Sequence, residues 1–152
     1  MSCFLRAYGA RFDVDRFLEK SKLRPSNVWR KGDARLDGRD GSVASSGLAV
    51  EISEDDWDDI DLQIRRAMRF LKRHAAEIRR LSSTSEVETA VIDFGVRRKS
   101  EELMQGAFFP RPLIEDAGRA GVGIRVATYA FSRRQNASGR RRNRARARRA
   151  VP

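Results

Sequence analysis

The most regular hydrophobic pattern in the chain lies between residues 53 and 81. Apolar side chains recur there at steps of three and four residues, the spacing of one face of an α-helix. They are Trp57, Ile60, Ile64, Ala67, Met68, Leu71, Ala75, Ile78 and Leu81. Ser53 can cap the start, acidic residues follow it, and basic residues from Arg65 onward complement the helix dipole. We therefore predict one continuous helix over residues 53–81.

The segments on either side of this helix have the shorter patterns of strands and short helices. Alternating or compact apolar runs predict six strands, at residues 4–8, 28–30, 48–52, 87–96, 104–109 and 122–131. Asp13 and Pro110 mark the starts of two short helices, at 14–23 and 110–120, and Phe12 and Phe17 are spaced for a hydrophobic staple. The order β-α-β-β-α-β-β-α-β predicts an α+β sandwich of ferredoxin-like character. Its antiparallel or mixed sheet would be covered by one long and two short helices.

Charge divides the chain into two parts. The 152 residues carry a net charge of +11, but residues 133–152 hold nine arginines and no acid. The other 23 basic residues nearly balance the 21 acidic ones. We predict a single α+β domain over residues 1–132 and a disordered, arginine-rich tail over residues 133–152.

Cysteine content and hydropathy indicate the compartment. Cys3 is the only cysteine, which excludes an internal disulfide and favours a reducing environment. Arg6 and Arg11 interrupt any apolar run near the N-terminus, and no segment has the eighteen or so apolar residues of a membrane span. We expect a cytoplasmic protein without a membrane partner.

The best local candidate for a binding site follows the second predicted strand. Trp29 is next to two cations, Arg30 and Lys31, and Asp33 follows at the start of a loop at residues 32–47. An aromatic ring beside cations could contact a phosphate, a carboxylate, a base or a partner protein. The alternative is a strand edge whose tryptophan packs under the loop while its basic residues face water.

No arrangement typical of catalysis or metal binding is evident. The acids between residues 54 and 61 are explained by the start of a helix, and no second acidic segment completes a metal site. His74 is the sole histidine and no neighbour orients it, while Cys3 is expected to pack rather than react. The glycines at 118–123 follow a helix and precede a strand, the reverse of a dinucleotide-binding fingerprint. We predict no catalytic residue, cofactor or metal.

The arginine-rich tail is the candidate nucleic-acid contact. It could neutralise several phosphates and so hold RNA or DNA without sequence preference. The residues concerned are Arg140, Arg141, Arg142, Arg144, Arg146, Arg148 and Arg149. No aromatic residue is interleaved with them, so base stacking by the tail is not supported. The alternative is a solubilising extension with no partner.

Several segments resemble an uncharacterised bacterial family, domain of unknown function 4279. The resemblance lies in F-D-V-D-R-F-L at 12–18, L-R-P-S-N-V-W-R-K-G-D at 23–33, the acidic start of the long helix, and P-R-P-L-I-E-D-A-G-R-A-G-V-G-I-R-V-A-T-Y at 110–129. It covers roughly residues 4–131 and implies no catalytic residue. Leu48 and Val50 depart from it where many members are expected to have a tryptophan.

Together these patterns predict a non-catalytic binding module. Our first hypothesis for its partner is another protein, bound by the uncovered face of the sheet or by the loop at 32–47. The second is sequence-independent nucleic acid bound by the tail. An enzyme is the third, because the sequence does not bring together an acid, a base and a nucleophile.

Overall fold

A computed structural model describes residues 2–35, 40–54, 57, 59–97 and 106–129. Within these ranges the chain forms five strands and three helices. The strands are β1 (Cys3–Gly9), β2 (Asn27–Trp29), β3 (Ser46–Ser53), β4 (Thr89–Arg97) and β5 (Gly123–Tyr129). The helices are α1 (Val14–Glu19), α2 (Ile60–Ser82) and α3 (Arg111–Arg119). The architecture is α+β, as the sequence predicts.

The five strands form one mixed sheet in the order β2-β3-β1-β4-β5. β1 is central and runs antiparallel to both β3 and β4, and β2 runs antiparallel to β3. β5 runs parallel to β4, because α3 carries the chain back between them. Two helical connections therefore join parallel strands: α2 connects β3 to β4 across β1, and α3 connects β4 to β5.

The helices pack on one face of the sheet. Alternate residues of the strands, among them Leu5, Leu48, Ile92 and Phe94, join side chains of all three helices in one buried cluster. The intervening strand residues point to the other face, since side chains alternate along a strand. No helix of the described chain covers that other face, which we call the open face. It carries Phe4, Arg6, Tyr8, Glu51, Asp93 and Arg125, together with the rings of Trp29, Trp57 and Tyr129.

The long helix is shorter than predicted and is not continuous. Ser53 is buried at the end of β3, and the N-cap is Asp59, whose carboxylate accepts a hydrogen bond from the backbone N–H of Leu62 at 2.9 Å. The backbone of His74 is non-helical, with φ −113° and ψ 18°, so α2 is kinked there. Both halves still bury apolar residues in the common core: Ile64, Ala67 and Leu71 before the kink, Ile78 and Leu81 after it.

The predicted strand at 104–109 is wrong where it can be assessed. Residues 106–110 have no regular secondary structure, and residues 104 and 105 lie outside the described part. Phe109 packs on Phe94, with ring centroids 5.3 Å apart, whereas Ala107 and Phe108 are exposed, the latter to 81%. Of residues 106–109, only Phe109 therefore contributes to the core, and the short apolar run indicates neither a strand nor a fully buried segment.

The first helix confirms the predicted staple but ends early. Asp13 caps α1 through a hydrogen bond from the backbone N–H of Arg16, and the rings of Phe12 and Phe17 lie 5.9 Å apart. The helix ends at Glu19 rather than near residue 23. The predicted end of α3 is confirmed within a residue, with Gly121 at φ +70° directly after the C-cap Ala120.

Candidate functional site

A buried carboxylate holds two arginines together on the open face. Asp93 is 4% exposed and lies in β4, between strands that carry Arg6 and Arg125. Arg125 donates from Nε to Oδ1 at 3.0 Å and from Nη2 to Oδ2 at 2.6 Å, and Arg6 donates from Nε to Oδ2 at 2.9 Å. Charge-assisted bonds of this kind, one of them bidentate, fix the orientation of both guanidinium groups. We call these three residues the Arg–Asp–Arg cluster.

Strand register creates this cluster. Asp93 is directly opposite Arg125 in the parallel β4–β5 pair and opposite Phe4 in the antiparallel β1–β4 pair. Arg6 is two residues beyond Phe4, so it approaches Asp93 diagonally on the same face. The guanidinium carbon of Arg6 also lies 4.9 Å from the centre of the Phe4 ring, within cation–π range. The hydrogen bonds that Arg125 donates to Asp93 raise the pKa of Arg125 further above its ordinary value.

Both arginines remain accessible from solvent. The side chains are 30% exposed for Arg6 and 45% for Arg125, against 5% for Asp93. Within the described residues, Asp93 is the only hydrogen-bond partner of either guanidinium. Two cations share one anion, so the cluster has an excess of one positive charge and several N–H groups able to donate to a further anion.

Aromatic side chains lie at both ends of the open face. The ring of Trp57 lies over Gly95, where a methyl group would collide with it, and meets Tyr129 edge-on with centroids 4.7 Å apart. At the other end, the ring of Trp29 lies over Gly47 beside Tyr8. Both tryptophans of the chain therefore lie on this one face. Strand spacing places them roughly 20–25 Å apart, on either side of the Arg–Asp–Arg cluster.

A separate concavity of about 530 Å³ lies at the end of β3. It is lined by Glu51, Ile52, Ser53, Glu54 and Arg66. Burial raises the pKa of Glu51, and the neighbouring charge of Glu54 raises it further. Oε1 of Glu51 is buried without a hydrogen-bond partner among the described residues. This carboxyl group is thus less stable as an anion than an exposed one.

The four candidate residues after the second strand lie close together, but their side chains do not form one site. They are Trp29, Arg30, Lys31 and Asp33. Trp29 is on the open face, whereas Arg30 forms a two-point ion pair with Asp15 of α1, at 2.8 and 2.6 Å. That hydrogen bonding lowers the pKa of Asp15. Asp33 accepts a hydrogen bond from the backbone N–H of Arg30 at 2.7 Å, and Lys31 is exposed. Their role as a ligand or partner contact stays a prediction.

Other sequence candidates have ordinary surroundings or lie outside the described residues. His74 packs its ring on Phe70, with centroids 4.7 Å apart, and Cys3 is fully buried. No three His, Cys, Asp or Glu side chains of the described ranges are grouped as metal ligands would be. None of the helices described is both long and apolar enough to span a membrane. The seven arginines predicted to contact nucleic acid, at positions 140–149, lie outside the described part, so the tail and the domain boundary stay predictions.

Sequence reasoning missed the Arg–Asp–Arg cluster and the pairing of Trp57 with Tyr129. The alternation Phe4, Arg6, Tyr8 in the first strand was available as a signal for an aromatic and basic sheet face. The position of Asp93 opposite Arg125 could not be predicted from the sequence, because it depends on which strands pair and in which register. Trp57 was assigned to the helix stripe, whereas it precedes α2 and covers Gly95.

Fold and site together define an α+β domain with a helix-covered core and an aromatic, basic open face. The chain belongs to the family described as Domain of unknown function (DUF4279), whose model matches residues 1–131. The resemblance found in the sequence is thereby confirmed. No curated protein and no solved structure matches the chain.

Proposed function

We propose that this domain is a non-catalytic binding module whose open face binds an anionic partner. The observation that carries the proposal is the Arg–Asp–Arg cluster. Asp93 fixes two guanidinium groups side by side in the middle of an accessible sheet face. Preorganised guanidinium groups suit carboxylate and phosphate groups, because their planar arrays of N–H donors match the acceptor oxygens.

Binding suits this cluster better than catalysis does. Arginine stays protonated across the physiological pH range, so neither Arg6 nor Arg125 can serve as a proton acceptor. Asp93 already accepts three hydrogen bonds and is almost completely buried. What the cluster offers to a ligand is therefore positive charge and fixed N–H donors.

The aromatic residues beside the cluster support a macromolecular partner. Trp57 and Tyr129 at one end, and Trp29 and Tyr8 at the other, extend the accessible surface well beyond a single anion. Arginine, tryptophan and tyrosine are the residues most often responsible for affinity at interfaces. Both partners considered from the sequence, a protein and a nucleic acid, can present anions to such a surface.

We also propose that the fold is a variant of the ferredoxin-like sandwich. β3 and β4 are parallel, are connected by α2, and have β1 inserted between them, which is a split β-α-β unit. β2 and β5 would then be additions at the two edges. A solved relative with the same strand order would test this assignment directly.

Intrinsic tryptophan fluorescence gives a specific test of the proposed function. Because both tryptophans lie on the open face, a ligand bound there is expected to change their emission. The full chain is titrated with two polyanions, a 12-nucleotide single strand and a polyglutamate peptide. We expect at least one of them to give a saturable change, and we expect Arg6→Gln combined with Arg125→Gln to weaken its affinity at least tenfold. Asp93→Asn is added to this double variant so that no buried charge is left uncompensated, and circular dichroism verifies that the variant is folded.

The matched control removes two arginine charges from the other side of the domain. Arg111 and Arg119 are 88% and 70% exposed on α3, and their ion pairs with acids of the same helix contribute little to stability. Arg111→Gln combined with Arg119→Gln is expected to leave the affinity within about twofold. Equal losses in the two variants, or no saturable change with either polyanion, would refute the proposed function.

A further inference from the structure

We infer that the anionic partner of the open face is a single-stranded nucleic acid, with phosphates held by Arg6 and Arg125 and bases stacked on the aromatic side chains. This inference rests on the proposed function and adds to it the class of partner. It relocates nucleic-acid recognition from the arginine-rich tail, where the sequence suggested it, to the folded sheet. The tail then supplements a site that the domain already has.

The first argument is the mixture of side chains on the face. Single-stranded nucleic acids are bound by aromatic rings, on which bases stack, interleaved with cations that follow the backbone. The open face carries Trp29, Tyr8, Trp57 and Tyr129 with two arginines between the two aromatic pairs. A peptide of acidic residues alone would engage the arginines but has no aromatic group to stack on the rings. A nucleic acid carries a phosphate and a base in every nucleotide, so the interleaved arginines and aromatics favour it.

The second argument is the position at which the arginine-rich segment begins. β5 ends at Tyr129, on the open face and in contact with Trp57. The first tail arginine, Arg133, follows only four residues later, and nine arginines without an acid occupy residues 133–152. Because four residues span at most about 14 Å, connectivity alone keeps Arg133 near the edge of the aromatic face. Positive charge there raises the affinity and association rate for a polyphosphate.

The aromatic rings on the open face also favour a single strand over a duplex. Stacking on side chains requires bases that are free of their own neighbours, which a duplex does not offer. The aromatic pairs are separated by roughly 20–25 Å on a sheet face, a distance that several nucleotides of an open strand can cover. A 12-nucleotide probe lies within the roughly 4–16 nucleotides that known single-strand-binding domains occupy.

The test is fluorescence anisotropy of a labelled 12-nucleotide oligothymidylate titrated with the full chain. The salt concentration is about 150 mM, where screening weakens electrostatic attraction between the tail arginines and the phosphates. Tyr129→Leu removes a stacking ring, and Tyr129→Phe keeps it. Base–aromatic stacking contributes about 1–3 kcal/mol per base, so the Leu variant is expected to bind about tenfold more weakly and the Phe variant like the parent. Trp29→Leu and Trp29→Phe repeat the comparison at the other end of the face, and circular dichroism verifies that each variant is folded.

The outcomes separate this inference from the proposed function. Weaker binding in the Leu variants, retained binding in the Phe variants and a preference for the single strand over a 12-base-pair duplex support the inference. Unchanged affinity in both folded Leu variants, or equal affinity for the duplex, refutes it. If only the polyglutamate peptide binds, and does so through Arg6 and Arg125, the nucleic-acid assignment fails while the anionic-partner function stands. If neither polyanion binds through these arginines, both fail.

Discussion

The carboxylate of Asp93 compensates the charges of Arg6 and Arg125, which would otherwise repel each other. It is nearly inaccessible to water, and its two partners are the only described groups that compensate its charge. Removing one member of a buried ion pair costs more than the pair contributes, because the remaining charge is left uncompensated. Asp93 therefore affects both the stability of the domain and the orientation of the two arginines on the open face.

Asp93→Asn is expected to lower the free energy of unfolding by about 1–2 kcal/mol, since the amide cannot neutralise two guanidinium groups, although both remain accessible to water. Urea denaturation followed by circular dichroism measures the change. Asp15→Asn is the matched control, because Asp15 also pairs with an arginine but is more than half exposed. A loss for Asp93→Asn no larger than that of the control would contradict the structural role assigned to the cluster.

Glu51 gives a prediction about pH. Burial raises the pKa of its carboxyl group above the ordinary 4.5, so the folded protein holds this proton more tightly than the unfolded chain does. The stability that Glu51 contributes is therefore greatest below pH 4.5 and is lost as the pH rises through the raised pKa. Glu51→Gln has no charge to bury, and we expect it to become progressively more stable than the parent between pH 4 and pH 7.

Urea unfolding of both proteins across this pH range measures the difference. Glu86→Gln, at an exposed position after α2, controls for the loss of one negative charge. A stability difference between parent and Glu51→Gln that stays constant with pH would show that the carboxyl group has its ordinary pKa in the folded protein.

Among the elements, α2 shows what periodicity can and cannot establish. The three- and four-residue spacing correctly identifies the buried side of the helix, because that spacing follows from helix geometry alone. It does not locate the start, since Ser53, Asp56 and Asp59 are all acceptable caps by residue type. Burial decides among them: Ser53 is enclosed at the end of β3, and the chain turns into the helix only at Asp59.

Asp59→Ala is expected to lower the free energy of unfolding by about 1 kcal/mol, because the backbone N–H of Leu62 loses its acceptor. Asp59→Ser keeps a side-chain oxygen at the cap and is expected to recover most of the loss. Thermal and urea unfolding measure both variants. Equal destabilisation by Ala and Ser would show that the capping hydrogen bond is not what Asp59 contributes.

Strand pairing limits how much of the site the sequence could predict. Alternation in residues 4–8 and 87–96 predicts which residues share a face, and the described core confirms it for Ile92 and Phe94. It does not predict that β5 lies parallel beside β4, which is what brings Arg125 to Asp93. Contacts between strands distant in sequence depend on topology and register, and a single sequence pattern contains neither.

In the whole molecule, the folded sheet and the arginine-rich segment are expected to contribute differently to nucleic-acid binding. Deleting residues 133–152 removes nine positive charges. We expect the deletion to weaken oligonucleotide binding at low salt and to flatten its dependence on salt concentration, because fewer counterions are displaced. Anisotropy titrations between about 50 and 200 mM salt measure the slope. A truncated chain that is folded yet binds no oligonucleotide at any salt concentration would contradict a site on the sheet.

The most direct test of the open face is a nuclear magnetic resonance titration of the full, isotope-labelled chain with the 12-nucleotide strand. The two tryptophans give two indole N–H signals, one at each end of the face. The account predicts that both signals shift, together with backbone amides of β1, β4 and β5. If only amides of residues 133–152 shift while both indole signals stay in place, the tail alone binds nucleic acid and the assignment of the sheet face is wrong.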